Sequence, residues 1–133
     1  MDTRGFIFVR PAKSGQALKD FAEHIFRWLE IPRFEERWVG KSDEQQFVGC
    51  AVGIEVVVGE NGMNLWRGIY KKDLEKYPFL ISLSPQDSSQ AADYLVQHAH
   101  ILARRLSHDG FRCLVPKDMV TVSSDKDGMI YDG

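Results

Sequence analysis

The sequence predicts an α+β fold: a two-layer sandwich with a mostly antiparallel sheet and two helices on one face. Three observations predict it. Short apolar runs rich in Val, Ile and Phe (GFIFVR, FVGCAVGIEVVV, PFLISLS, FRCLV) recur along the chain. Two stretches place apolar residues at helical spacing on a single stripe. The central strand runs follow one another with short connections, which favours antiparallel pairing.

In chain order, Gly5 to Arg10 is a short strand, stopped by Pro11, which has no N–H for a ladder. Ser14 offers a helix N-cap, and Leu18, Phe21, Ala22, Ile25, Trp28 and Leu29 follow on one face until Pro32. Phe34 to Val39 alternates Phe34, Glu36 and Trp38 against Glu35, Arg37 and Val39, as a half-exposed strand would. Residues 40–45 form a polar turn. Gln46 to Gly59 is a long valine-rich run in which Gly49 and Gly53 suggest a bulge or sharp bend. Asn61-Gly62 signals a tight turn. The insert that follows, MNLWRGIYKKDLEK, fits either a return strand or a long loop with a short helical turn. Pro78 to Ser84 is a further strand. A long helix runs from Ser88 or Ser89 to His108, its stripe made by Ala92, Leu95, Val96, Ala99, Leu102, Ala103 and Leu106. Gly110 caps its end, where Arg104 and Arg105 suit the negative pole of the dipole. Phe111 to Val115 is the last core strand. Residues 1–116 thus read as one α+β domain and residues 117–133 as a polar C-terminal tail, with one short strand at Met119 to Val122.

Composition narrows the functions. The chain has 133 residues, 44% apolar and 27% charged, enough to bury a core without staples. A net charge of −2 gives no basic surplus for direct contact with nucleic acid. No window approaches the ~20 apolar residues of a membrane span, and the N-terminal apolar run is too short for a signal peptide. The chain is expected to be cytoplasmic. Its two cysteines, Cys50 and Cys113, lie in apolar runs and read as small buried hydrophobes without a disulfide.

Catalytic and metal-binding patterns are missing. There is no P-loop, no G-x-G-x-x-G and no G-x-S-x-G. Of the four histidines, His98 and His100 point about 200° apart on a helix and cannot share a metal. His24 has no acidic or cysteine partner near it in sequence. Asp125-Lys126-Asp127-Gly128 begins like a calcium loop, but no Glu follows at the required distance. No catalytic residue, metal or cofactor is implied.

Two groups of residues suit a partner surface instead. Glu35, Glu36, Asp43 and Glu44 form an acidic cluster before the central strand. Trp66, Arg67, Tyr70 and Asp73 lie in the insert, and Trp, Tyr and Arg are the commonest interface anchors. Two bland readings stand beside these: Trp66 and Tyr70 folding back onto the core, and the acids belonging to a mixed solvated surface.

From Phe34 to Pro85, through FEER, FVGCAVGIEVVV and YPFLISLSP to the long helix ending at Gly110, the chain resembles small bacterial immunity proteins. These belong to contact-dependent inhibition and related polymorphic toxin systems. The resemblance implies a cytoplasmic protein that binds one cognate toxin and blocks it without catalysis. The Glu60 to Lys76 insert is not part of that pattern. Two other classes remain: a small enzyme or ligand-binding domain with a pocket between sheet and helices, and a structural protein that self-associates through a sheet edge.

Overall fold

The structure is a computed structural model that describes residues 5–12, 15–39, 44–51, 53–61, 65–66, 69–70, 72–85, 92–118, 122 and 124–132. Seven strands form one sheet: β1 (Gly5–Arg10), β2 (Glu35–Val39), β3 (Glu44–Ala51), β4 (Ile54–Glu60), β7 (Phe79–Pro85), β8 (Arg112–Pro116) and β9 (Gly128–Asp132). The two-residue strands β5 (Leu65–Trp66) and β6 (Ile69–Tyr70) pair only with each other, and a 3₁₀ turn follows at Lys72–Leu74. The insert therefore holds both forms left open by the sequence, a miniature hairpin and then a helical turn. The helices are α1 (Leu18–Trp28) and α2 (Ala92–His108).

The sheet order is β2-β3-β4-β7-β1-β8-β9, and every neighbouring pair is antiparallel. β1 lies inside the sheet, which explains its unbroken apolar run. Ile7 and Val9 face the helices, while Phe8 points to the reverse side, and all three are fully buried. α1 crosses β4 and β3, and α2 crosses β8, β1, β9 and β7. Both stripes enter one core, in which Phe21 stacks on Phe79 at 4.7 Å and Leu95 and Leu106 are buried. The expected two-layer α+β sandwich, helices on one face, is what the chain adopts.

The reverse face is not simply wet. Phe8, Leu74, Tyr77, Leu114 and Val122 make a second, smaller core there. Asn61 ties it down, its side-chain amide donating to the carbonyls of Leu74 (3.0 Å) and Tyr77 (2.8 Å). Gly62 lies outside the described residues.

Several local expectations are corrected. α1 starts at Leu18 with Ala17 as N-cap and no side-chain cap bond, so Ser14, itself outside the described residues, is too far upstream. Gly53, at φ +81°, turns β3 into β4 as a hairpin rather than a bend within one strand. Gly49 is a close approach instead of a bulge: a Cβ there would meet Phe26 at 2.8 Å and Ile31 at 2.9 Å. Val96 leaves the α2 stripe and is 41% exposed.

The largest correction concerns the tail. Residues 128–132 form β9, paired with β8 from Arg112↔Asp132 to Pro116↔Gly128. The C-terminal segment is an edge strand of the sheet, not an irregular appendage, because Ile130 and Tyr131 alternate onto the two cores. Of the strand expected at Met119 to Val122, only Val122 is described, and it is buried.

Candidate functional site

β2 forms one edge of the sheet and pairs only with β3, in the register Glu35↔Val48, Glu36↔Phe47, Arg37↔Gln46 and Trp38↔Gln45. Phe34 anchors its entry, stacking on Phe26 at 4.7 Å and meeting Phe47 edge-on at 6.0 Å. Beyond Phe34 the described side chains of the strand are open to solvent. Glu35, Glu36 and Arg37 are exposed, and Trp38 is 61% exposed, the most exposed of the large apolar side chains described. Arg37 Nε donates to Gln46 Oε1 at 3.2 Å, which holds the guanidinium against the strand. The strip combines an indole, two carboxylates and a row of backbone groups with no strand beside them.

The residues expected to bind a partner are placed as follows. Glu35 and Glu36 share β2 with Trp38, and the backbone of Glu44 pairs with Val39 across the hairpin. Asp43 and Arg67 lie outside the described residues. Trp66 and Tyr70 lie on the small hairpin, with Trp66 opposite Ile69 and Tyr70 opposite Leu65. Asp73 is exposed on the 3₁₀ turn. Glu35 and Glu36 thus share the edge strand, whereas the insert residues lie between β4 and β7 in sequence and outside the seven-stranded sheet. The sequence reading missed Trp38. Its alternation with Phe34 and Glu36 marked no more than a half-exposed strand; the main contacts of α1 fall on β4 and β3, and the indole on the outermost strand stays exposed.

A second polar group sits at the opposite end of the sheet. Asp125 accepts from Tyr77 Oη at 2.6 Å, from Arg112 Nη2 at 3.0 Å and from Lys76 Nζ. Arg112 also donates through Nη1 to Asp132 at 2.6 Å. Burial works against ionisation of Asp125, but the hydrogen bonds from Lys76, Tyr77 and Arg112 outweigh it and hold its carboxyl below the usual range. Burial, then the bond to Asp125, pushes the Tyr77 phenol up, away from any role as a base. The apparent calcium loop is therefore a clamp, closed by a Ser124 capping box and spent on two cations. Among the described residues no group of three or more His, Cys, Asp or Glu could hold a metal ion.

The histidines are dispersed. His24, expected to lack an acidic partner, lies 3.2 Å from Asp109, distant in sequence but brought close by the fold. His100 Nδ1 lies 2.8 Å from Tyr131 Oη, and burial, followed by the Arg104 charge, lowers its pKa. His98 points to the other flank of α2, where it lines an apolar cleft of about 410 Å³ between the helices and the sheet. Cys50, expected to be buried, is exposed, and Cys113 is buried.

Comparison with protein-family models, with curated proteins and with solved structures gave no match to this chain. Among the described residues, no helix is long and apolar enough to cross a membrane.

Proposed function

We propose that this chain is a cytoplasmic immunity protein, which neutralises a cognate bacterial toxin by direct contact along the β2 edge. One observation carries the reading: Trp38 stands 61% exposed on an edge strand that also carries the exposed acids Glu35 and Glu36. An exposed indole on a rigid strand loses little entropy when it is buried by a partner, so it makes a strong anchor. The exposed carboxylates of Glu35 and Glu36 complement a basic surface. A nuclease, whose site must attract phosphate, presents such a surface. An inhibitor of this kind needs shape, an anchor and charge, and no catalytic group.

The test is co-expression with the toxin encoded beside the gene. Wild-type protein should protect cells and bind the toxin. Trp38→Ala should weaken binding by ~2 kcal/mol or more, as central aromatic anchors do. Reversing Glu35 and Glu36 to Lys should slow association and flatten its salt dependence. If Trp66→Ala carries the loss instead, the docking strip is the insert. Failure of a folded, soluble wild-type protein to protect against an active toxin would sink the immunity reading in favour of an enzyme or ligand-binding domain.

A further inference from the structure

Both helices lie on one face of the sheet, close together at one end and parted by a cleft at the other. At the closed end, His24 of α1 lies 3.2 Å from Asp109, just past α2, and its ring packs on Phe111 at 5.4 Å. A Cβ on Gly110 would come within 3.1 Å of the Ala12 Cβ, so little room remains there. At the open end, Trp28 and Leu29 face Tyr94, His98 and Ile101 across the cleft of about 410 Å³. Its floor is the sheet: Ile54, Val56 and Leu83 line it while keeping only 8%, 3% and 3% of their surface. Its rim is open, with Ile101 58% and Tyr94 42% exposed. The cleft therefore passes through the helical layer and ends on strands.

We infer that this cleft binds a small amphiphile, with an apolar tail lying on the sheet and a carboxylate head at the rim. The volume falls within the ~300–1,000 Å³ typical of small-molecule sites. The head is assigned by the donors. The polar side chains among the described lining residues are Trp28, Tyr94 and His98, the last two with rings packed edge-on at 4.4 Å. An indole N–H, a phenol O–H and an imidazole N–H all donate, and the indole has no acceptor atom, so the set suits an acceptor head. No Asp, Glu, Lys or Arg occurs among those lining residues, so neither charged head finds a counter-charge there and the hydrogen-bond donors decide between them. The site is separate from the β2 edge and does not depend on the proposed toxin contact.

Calorimetric titration with dodecanoate and with dodecylamine tests this. Dodecanoate should bind saturably at one per chain, and dodecylamine at least tenfold more weakly. Ile101→Trp, a change at an exposed rim position, should narrow the mouth and weaken dodecanoate at least tenfold with an unchanged melting temperature. Tyr94→Phe combined with His98→Leu should keep the apolar walls, leave the Trp28 indole as the one remaining donor among the described lining residues, and reduce the preference for carboxylate over amine. Absent or unsaturable dodecanoate binding, equal affinity for the two heads in the wild type, or undiminished binding by folded Ile101→Trp would each overturn the assignment.

Discussion

Cys50 and Cys113 sit in similar apolar sequence and have opposite fates. In β3, Phe47 and Gly49 turn towards the helices, so Cys50 falls on the reverse face and is exposed. Cys113 pairs with Val9 on the helix side and is sealed under the core. Burial, then the nearby charge of Asp132, pushes its thiol up to about 12 from 9.0. One thiol should therefore react with Ellman's reagent in native protein at pH 8, and two in denaturant; two native thiols would contradict the buried position. The linkage has a definite sign. A raised folded pKa stabilises fully below the unfolded value, here 9.0, and that share is lost as pH rises towards about 12. Between pH 9 and 10, below the range in which Tyr77 contributes, the melting temperature of Cys113→Ala should fall less steeply than that of wild type. Sequence alone could not separate the two cysteines, because the difference is which side of a strand a helix covers.

The two helices end in the same way with different residues. After α2, the N–H of Phe111 reaches Leu106 O (3.1 Å) and that of Gly110 reaches Ser107 O (3.1 Å). After α1, the N–H of Ile31 reaches Phe26 O (2.8 Å) and that of Glu30 reaches Arg27 O (3.1 Å). Both are Schellman closures, which require a left-handed residue between the helix and the buried apolar side chain beyond it. Gly110 takes φ +94° freely, whereas Glu30 takes φ +58° against the clash of its Cβ. Gly110→Ala should thus cost ~1 kcal/mol, and Glu30→Gly should raise the melting temperature, since relief of ~1–2 kcal/mol exceeds the added chain entropy. A lower melting temperature for Glu30→Gly would show that its side chain makes a compensating contact. The α2 cap was legible, since a glycine after a clean stripe marks a helix end. The α1 cap was not, because Glu30 carries no such mark and Pro32 seemed sufficient as a stop.

At the scale of the molecule, the strand runs and stripes were legible because each buries a continuous apolar surface. The last strand was not. β9 reads GMIYD, too short and polar to stand out, and it is held by tertiary bonds: Asp132 to Arg112, Tyr131 to His100, and Asp125 to Lys76, Tyr77 and Arg112. The candidate edge was half legible; its charges could be read from the sequence, but its outermost place depends on how the hairpins stack. Deleting residues 117–133 should leave Arg112 without either carboxylate and bare the side of β8. Against a total stability of ~5–15 kcal/mol, the shortened chain should be insoluble or melt far below the full chain in circular dichroism. An unchanged melt would restore the view of this segment as an appendage.

The position of β1 has a consequence for how the chain reaches this state. β1 precedes the other strands of the sheet and is flanked by two of the later ones, with Phe8 set against Leu80 on one side and Leu114 on the other. The β2–β3–β4 meander can assemble locally while the chain is still being synthesised, but the apolar GFIFVR segment must wait for partners from the far half. Such long-range closure is slow, and it leaves a sticky segment bare in the meantime. The newborn chain thus depends on segments made later, β7 and β8, to shelter β1.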